Sequence, residues 1–220
     1  MKNTRTLVIS DIHGEYERLM SVLNKADYKP NKDKIVFIGD YIDRGPDSYK
    51  VVRYILQLKA KYKDNVVLLK GNHEDIACGY IKDYISQQLF FYNGGHKTLK
   101  SYSLANKSVY DFEQDIKYLG NLSLYYETDE FLFVHAGIRE GMSIENQSEE
   151  DLLWIRDDFL FKGWQDYPKI IIHGHTPLSE TVNVKEMHIT RRLNIDTGAG
   201  KNGVLSLVDL TNEIVYQEKG

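Results

Sequence analysis

Five short apolar runs of this chain end abruptly in clusters of small and ionisable residues. The clusters are Ser10-Asp11-Ile12-His13-Gly14, Gly39-Asp40, Gly71-Asn72-His73-Glu74, His135-Ala136-Gly137 and His173-Gly174-His175-Thr176. Ligands of α/β sheets bind beyond the carboxyl ends of the strands, so clusters placed in this way converge on one edge. The pattern therefore predicts an α/β fold with a single candidate site at that edge.

The first third of the chain favours βαβ units around a largely parallel sheet, because short β-branched runs alternate with longer amphipathic stretches. The predicted strands are residues 7–9, 35–38 and 66–69. Between the first two strands, four apolar residues have the spacing i, i+3, i+4, i+7 of one helical face, namely Tyr16, Leu19, Met20 and Leu23. A second helix is predicted to begin near Asp47 or Ser48, either of which could cap it.

The later part of the chain is predicted to combine a helical insert with further strands. Residues 75–120 are rich in Tyr, Gln, Lys and Asn, and we expect them to form a helical insert or lid. Residues 122–126 and 131–134 are predicted to form a hairpin, and 170–172 another buried strand. We expect an antiparallel meander from residues 192–195, 204–208 and 213–216. With no repeat and no linker, residues 1–220 are predicted to form one domain.

Composition and charge exclude several classes of protein. The chain has 42% hydrophobic and 27% charged residues, as ordinary globular proteins do. Its formal net charge of -4 argues against a nucleic-acid partner. No apolar run approaches the roughly 20 residues of a membrane helix. The stretch from Lys2 into residues 7–9 also lacks the long hydrophobic region and cleavage site of a signal peptide, so we expect a cytoplasmic protein without a membrane partner.

The strand-end clusters contain the side chains of a metal site built on nitrogen and oxygen. Cys78 is the only cysteine, which excludes a thiolate zinc cluster, whereas five of the seven histidines lie in the clusters. Carboxylate, imidazole and carboxamide ligands suit manganese, iron or zinc. Six such residues exceed what one tetrahedral ion uses, and two ions about 3.5–4 Å apart, bridged by one carboxylate, are the usual arrangement. Asp40 is the natural bridge. The alternative for any single one of these residues is a helix cap or turn residue.

The motifs Asp11-Ile12-His13-Gly14, Gly39-Asp40-Tyr41-Ile42-Asp43-Arg44-Gly45, Gly71-Asn72-His73-Glu74, His135-Ala136-Gly137 and Gly174-His175-Thr176 resemble a known family. It comprises the metallophosphoesterases of the serine/threonine phosphoprotein phosphatase type, in their short bacterial and phage form. The resemblance spans residues 11 to about 200 and implies a calcineurin-like fold, with a central β-sandwich flanked by helices in an αββα arrangement. Ser10 departs from the family, which commonly has Gly before the first Asp.

The resemblance also implies a set of ligands for each of two divalent ions. We expect these ions to be manganese, with iron or zinc as alternatives. Asp11 and His13 would hold the first ion together with the bridging Asp40. The second would be held by Asp40 and three further residues: Asn72, His135 and His175. His173 is not a family ligand, and we expect it to pack at the strand end.

The same resemblance implies the catalytic residues. Asp43 and His73 would form a pair in which the carboxylate favours a protonated imidazole, so that His73 acts as general acid. Arg44, Arg156 and Asn72 would bind the phosphate, the arginines as bidentate clamps. The implied reaction is hydrolysis of phosphoserine or phosphothreonine monoesters, with phosphotyrosine as a further possibility, by direct in-line attack of a hydroxide that bridges the ions. The partner is then a phosphoprotein or phosphopeptide.

Two other functions remain as alternatives. A hydrolase of diadenosine tetraphosphate or related nucleotides uses the same scaffold, but such enzymes usually lack the acid in Asp-Arg-Gly and carry Asp at the position of Glu74. A catalytically silent binding module would have lost ligands, and none is missing.

Two features receive no chemical role from the sequence. One is the motif Asn93-Gly94-Gly95 with Thr98 and Tyr102, which also resembles bacterial members. The other is a group of aromatics that could cover the core or face a substrate: Phe90, Phe91, Tyr92 and Tyr102.

Overall fold

The computed structural model describes residues 4–164, 167–178 and 181–220. The strands are β1 Thr6–Ile9, β2 Lys34–Phe37, β3 Val66–Leu68, β4 Tyr125–Glu127, β5 Phe131–Val134, β6 Ile170–His173, β7 Arg192–Asn194, β8 Val204–Asp209 and β9 Ile214–Lys219. The helices are α1 Tyr16–Lys25, α2 Ser48–Tyr62, α3 Asn72–Tyr80, α4 Tyr84–Tyr92, α5 Gly95–Leu104, α6 Val109–Leu119, α7 Glu149–Trp154, α8 Asp157–Leu160 and α9 Met187–Thr190. Among these described segments, no helix is both long and apolar enough to cross a bilayer.

The strands form two sheets, each with a parallel centre. In the first sheet the order is β3-β2-β1-β8-β9, where β1, β2 and β3 are parallel and β8 and β9 are antiparallel. The second sheet has the order β4-β5-β6-β7, in which only β4 is antiparallel to its neighbour. The parallel strands point their carboxyl ends in one direction within each sheet, and for β1, β2 and β3 this is what the first third of the sequence predicts.

Alternation along the apolar strands builds three hydrophobic layers. Val8 and Val36 of the first sheet pack against Phe133 and Ile172 of the second, so the two sheets face each other. On the outer face of the first sheet, Leu7, Ile35 and Phe37 are covered by α1, α2, α5 and α6. On the outer face of the second sheet, Leu132, Val134 and Ile171 lie under α7 and α8. The α/β class and the central β-sandwich flanked by helices are confirmed.

Residues 75–120, for which the sequence predicts a helical insert, contain most of α3 and all of α4, α5 and α6. Their aromatic residues divide between core and surface. Phe90 and Tyr102 are fully buried in the core layer of the first sheet, whereas Tyr92 is 90% exposed. The core-covering alternative is therefore confirmed for Phe90 and Tyr102, and facing a substrate stays a prediction for the exposed Tyr92.

The predicted C-terminal meander is wrong in its first strand. β7 pairs in parallel with β6 in the second sheet, and only β8 and β9 form an antiparallel hairpin in the first sheet. The chain changes sheets between β7 and β8 through a turn at Ala199–Lys201. A Cβ on Gly200 would lie 2.6 Å from His13 Cδ2, so this turn packs on the candidate site instead of closing a hairpin. The strand predicted at 122–126 is also displaced, because β4 begins only at Tyr125.

Candidate metal centre

The loops that follow β1, β2, β3, β5 and β6 bring the five strand-end clusters together. The side chains of Asp11, His13, Asp40, Asn72, His135 and His175 are all buried. Loop 10–15 is tied to the loop after β2 by backbone hydrogen bonds, for example from His13 N to Asp40 O at 2.9 Å and from Gly14 N to Tyr41 O at 2.8 Å. The structure therefore places the six predicted metal ligands around one point, as the strand-end argument predicts.

Left-handed backbone conformations turn these side chains inward. Positive φ angles occur at six predicted site residues: Asp11 (50°), His13 (48°), Asp40 (56°), Asp43 (71°), Arg44 (64°) and His175 (68°). Asp and His tolerate this conformation better than most residues, although it costs of order 1–3 kcal/mol where it is strained. Such strain persists only where surrounding contacts enforce it, and it clusters at functional sites.

Asp40 lies at the middle of the cluster, with its two carboxylate oxygens facing different histidines. Oδ2 is 3.5 Å from His13 Nε2, and Oδ1 is 3.4 Å from His135 Nε2. Within the described part of the chain, two groups of side chains are close enough to hold an ion, one of His13, Asp40 and His73 and the other of Asp11, Asp40 and His135. Asp40 belongs to both groups, which is the position of a bridging ligand.

Hydrogen bonds to backbone carbonyls set the tautomers of two histidines. His13 Nδ1 lies 2.8 Å from Ile42 O, and His135 Nδ1 lies 2.9 Å from Ile38 O. A carbonyl can only accept, so both Nδ1 atoms carry hydrogen and both Nε2 atoms present lone pairs to the centre. This arrangement is the usual one for a metal-binding imidazole.

The contacts of Asn72 fit a cation better than they fit an empty cluster. Asn72 Oδ1 is 2.9 Å from His135 Nε2, so two lone pairs face each other with no hydrogen between them. His175 Nδ1 is also 2.9 Å from this oxygen. His175 Nε2 is buried and has no hydrogen-bond partner among the described residues. A bound cation would satisfy lone pairs that are otherwise opposed, so the donor set fits a divalent metal.

Burial favours the uncharged forms of the predicted ligands as long as no metal is bound. Burial raises the pKa of Asp40 well above its usual range, and the negative charges of Asp11 and Glu74 add to this effect. Burial also lowers the pKa of His13, of His135 and of His175, and nearby histidines or arginines add to this effect. The imidazoles are therefore neutral at neutral pH, which is the form that binds metal.

Asp43, His73 and Arg44 form a linked group at the edge of the centre. His73 Nδ1 is 2.7 Å from Asp43 Oδ2, and both side chains are buried. Burial, more than any other cause, raises the pKa of Asp43 to about 7 and lowers that of His73 well below its usual value. Arg44 is half-buried and lies 2.7 Å from His13 Nε2 and 2.8 Å from His73 Nε2. In this arrangement the guanidinium donates to both imidazoles, so His73 Nε2 acts as an acceptor.

The remaining predicted residues lie at the rim or behind the centre. Arg156 is exposed, and its NH1 donates to Thr176 Oγ1 at 2.8 Å, beside His175. His173 is buried, with its ring 4.9 Å from that of Phe159 in an edge-to-face contact. Its Nδ1 is 3.3 Å from Gly174 O. His173 therefore packs at the strand end and does not join the donor groups, as the sequence predicts.

Three buried residues beside the centre received no role from the sequence. The Glu74 carboxylate accepts hydrogen bonds from the backbone N–H groups of Asp40, Tyr41 and Gly71, so it supports the loops and does not face the centre. Asp196 is 2% exposed, and burial and the charge of Asp11 raise its pKa well above the usual range. Thr98 on α5 contacts Asp43. A motif around Thr98 is visible in the sequence, but its contact with Asp43 is not.

Comparisons with known proteins agree on one family. The model of the calcineurin-like phosphoesterases matches residues 4–200. The serine/threonine-protein phosphatase PP1-delta of Caenorhabditis elegans is 25% identical over 173 residues, which cover 72% of this chain and 52% of the relative. The chain thus spans about half the length of that phosphatase.

Two other matches extend over nearly the whole chain. The asymmetrical bis(5'-nucleosyl)-tetraphosphatase PrpE of Halalkalibacterium halodurans is 26% identical over 231 residues, which cover 90% of this chain and 87% of the relative. A solved structure described as a candidate diadenosine tetraphosphatase has a TM-score of 0.72 and 20% identity, covering 100% of this chain and 95% of that one. Protein phosphatases and dinucleotide hydrolases therefore both occur among the proteins that this chain resembles.

Proposed function

This chain belongs to the calcineurin-like phosphoesterases, and from that premise we propose that it is a metal-dependent phosphoprotein phosphatase of the cytoplasm. Its substrates would be phosphoserine and phosphothreonine monoesters, with phosphotyrosine as a further candidate. The observation that supports this proposal is the buried pair of Asp43 and His73, whose Oδ2 and Nδ1 are 2.7 Å apart. Such a pair is useful when the leaving group needs a proton.

The residues proposed to hold two divalent ions, with manganese expected, are Asp11, His13, Asp40, Asn72, His135 and His175. When bound, these ions supply an activated water and neutralise charge on the phosphate oxygens. The chain's own contribution is to hold the imidazoles neutral and to aim their lone pairs at the centre, through the carbonyls of Ile42 and Ile38. Asp40 provides a carboxylate that faces both His13 and His135, at 3.5 Å and 3.4 Å from their Nε2 atoms.

Arg44 and Arg156 would bind the phosphate from two sides, together with Asn72. Arg44 lies against His13 and His73, so its guanidinium would have to turn from their Nε2 atoms onto phosphate oxygens. A dianionic phosphate is the better partner for a guanidinium, because two parallel charge-assisted hydrogen bonds replace two bonds to neutral rings. Turning Arg44 in this way also frees His73 Nε2 to carry a proton.

The Asp43–His73 pair can deliver that proton from either of two arrangements. When the pair holds two protons, it is neutral overall, either as carboxylate with imidazolium or as carboxylic acid with imidazole. Both arrangements place one proton between Oδ2 and Nδ1 and the other on Nε2. The proton on Nε2 passes to the oxygen of the departing alkoxide. A buried pair of zero net charge therefore serves as the acid without requiring an isolated charged imidazole.

Hydrolysis of a dinucleoside tetraphosphate is the second candidate function. It is favoured by the near full-length similarity to the Halalkalibacterium halodurans PrpE protein. Glu74 binds backbone N–H groups and does not face the centre, so its identity has no direct effect on the choice of substrate. What weighs against this candidate is chemistry: a nucleotide leaving group departs as a stabilised phosphate anion and gains little from a general acid such as the Asp43–His73 pair.

One purified, manganese-loaded sample tests the proposal when its kcat/KM values for phosphoserine and phosphothreonine peptides are compared with that for diadenosine tetraphosphate. We expect the peptide values to be at least tenfold higher, equivalent to about 1.4 kcal/mol of transition-state stabilisation. A phosphotyrosine peptide in the same series measures the breadth of the specificity. A higher value for the dinucleotide would replace the proposal with the second candidate.

A further inference from the structure

The first turn of α5 packs directly on the loop that carries Asp43 and Arg44. Gly94, just before the helix, has a φ of 99°, and a Cβ at this position would lie 2.9 Å from Arg44 N. Only glycine allows this approach without strain. Lys97 Nζ donates to Arg44 O at 2.5 Å. The helical segment between β3 and β4 therefore reaches the edge of the candidate metal centre through these residues.

Thr98 holds the Asp43 residue by both its backbone and its side chain. Thr98 Oγ1 donates to Asp43 Oδ1 at 2.7 Å and accepts from Asp43 N at 2.9 Å. Ser48 Oγ lies 3.1 Å from Thr98 Oγ1 and accepts from Asp43 N at 3.1 Å. Thr98 and Ser48 have no exposed surface. One carboxylate oxygen of Asp43 is thus fixed by Thr98, which leaves the other oxygen directed at His73.

The His73 ring depends on Asp43 for its orientation. Among the described residues, its only hydrogen-bond partners are Asp43 at Nδ1 and Arg44 at Nε2. In the proposed reaction Arg44 turns to the phosphate, so Asp43 would then be the one hydrogen-bond partner of the ring among the described residues. An Asp43 carboxylate that could rotate freely would no longer keep Nε2 aimed at the leaving group.

We propose that Thr98 is a positioning residue of this phosphatase, which fixes Asp43 Oδ1 so that Oδ2 orients His73 as the general acid. The inference rests on the proposed function. Thr98 touches neither substrate nor metal, and it acts through Asp43. It also gives a role to the motif Asn93-Gly94-Gly95 with Thr98, in which Gly94 allows the close approach and the threonine makes the bond.

The variant Thr98→Val tests this role, because valine keeps the shape of threonine and lacks the hydroxyl. Misplacement of a catalytic group by about 1 Å can cost about a hundredfold in rate. We expect kcat on a phosphoserine peptide to fall by about ten- to a hundredfold, and kcat on nitrophenyl phosphate by less than about threefold, since nitrophenolate departs with little help from an acid. KM for both substrates should change little, and Thr98→Ser should restore kcat on the peptide.

The matched control is Tyr102→Phe, one turn further along α5. Tyr102 is buried, and its hydroxyl donates to Asp115 Oδ2 at 2.9 Å, away from the centre. This variant also removes a buried hydrogen bond from the same helix. We expect it to lower the melting temperature without changing the ratio of the two rates. A merely structural role of Thr98 predicts the same behaviour for Thr98→Val.

A spectroscopic readout is independent of catalysis. In the metal-free protein, the hydrogen between His73 Nδ1 and Asp43 should give a downfield proton resonance, identified by its loss in His73→Asn. We expect this resonance to disappear or move upfield in Thr98→Val, to return in Thr98→Ser and to stay in place in Tyr102→Phe. If Thr98→Val does not fold, Thr98→Ala and Thr98→Ser provide the same comparison.

Two outcomes would overturn the inference while leaving the proposed function intact. One is an active wild-type phosphatase in which Thr98→Val slows both substrates equally. The other is an unchanged His73 resonance in Thr98→Val. Failure of the proposed function has a different signature, namely a manganese-loaded wild-type protein that does not hydrolyse the phosphoserine peptide at all.

Discussion

Asp40 is the single residue that belongs to both groups of possible metal ligands. Its carboxylate is also under electrostatic stress, because burial and the neighbouring charges of Asp11 and Glu74 raise its pKa well above the usual range. A divalent cation relieves this stress by compensating the buried negative charge. Asp40 is therefore costly to bury as a charged group without metal, and it is the residue on which both ions would depend.

Replacing Asp40 with asparagine should remove metal without unfolding the protein. The carboxamide keeps one oxygen that can accept from His73 N, as Asp40 Oδ1 does at 3.0 Å, but it lacks the charge and the second ligand oxygen. We expect Asp40→Asn to bind fewer ions per chain than any other single ligand variant, with unchanged or higher stability of the metal-free protein. Metal analysis and chemical denaturation measure the two effects. Asp115→Asn, a change at a buried carboxylate of α6, is the control that should keep both ions.

Two ions still bound per chain in Asp40→Asn would remove this residue from the bridging position.

Glu74 differs from Asp40 in that it supports backbone and is not a predicted ligand. It stands in the same motif as His73, yet its oxygens bind three backbone N–H groups, so it supports the loop after β2. Residue type and spacing alone do not distinguish a metal ligand from a carboxylate that binds backbone N–H groups. For this reason the sequence assigned no role to Glu74.

At the scale of elements, the strands that end in site residues are predictable and their neighbours are less so. β1, β2, β5 and β6 are short apolar runs flanked by turn residues, so the strands themselves follow from that pattern, as does the parallel pairing of β1 with β2. β7 has the same local pattern, but its partner β6 is chosen by packing between the two sheets. Local sequence carries no information on that choice, which explains the incorrect meander.

The docking of α5 on the Asp43–Arg44 loop leads to a prediction for Gly94. Its left-handed backbone and its closeness to Arg44 N both oppose a side chain. Left-handed backbone strain alone costs about 1 kcal/mol, and we expect Gly94→Ala to destabilise the protein by more than this. The variant should also lower kcat on a phosphoserine peptide. Thermal unfolding and steady-state kinetics measure these changes.

Gly141 supplies the control for that substitution. Its φ is 77°, but no atom of the described residues lies within 4 Å of a Cβ at this position. Gly141→Ala should therefore show the backbone strain alone, of about 1 kcal/mol, with unchanged kcat. Equal destabilisation in the two variants, without a rate loss in Gly94→Ala, would mean that the contact between α5 and the loop is unimportant for the site.

At the scale of the whole molecule, the site joins loops from both sheets with one helix of the 75–120 segment. The convergence of the clusters within each sheet follows from sequence, because the carboxyl ends of parallel strands meet at one edge. The meeting of the two edges follows from the packing of the two sheets against each other. The bond from Thr98 to Asp43 does not, because it joins residues 55 positions apart through the packing of α5 on the loop. The left-handed backbone at six site residues is likewise imposed by the surrounding loops and has no local signal beyond a preference for Asp and His.

The buried ionisable groups predict how the stability of the metal-free protein depends on pH. Burial raises the pKa of Asp43 and of Glu74 to about 7, so the folded state holds protons that the unfolded state releases near pH 4. These groups lose their stabilising effect as the pH rises through about 7. Burial lowers the pKa of the site histidines, such as His13 and His135, which act in the opposite sense only below about pH 6.5.

We therefore expect the free energy of unfolding of the chelated protein to fall as the pH rises from about 6.5 to about 7.5, the interval in which Asp43 and Glu74 lose their protons in the folded state. Urea denaturation at several pH values measures it. Saturating manganese should reverse the trend, because the metal displaces protons and binds more tightly at higher pH. A chelated protein that gains stability over this range would show that the carboxyl groups are charged in the folded state.

We propose that two cations in this one cluster are required for phosphoester hydrolysis, and titration of metal into the chelated protein tests this requirement. Manganese is added in steps while bound metal and the rate on nitrophenyl phosphate are followed in the same sample. We expect negligible activity without metal and a plateau of activity at about two ions per chain. Full activity in excess chelator, or a plateau at one ion per chain, would contradict it.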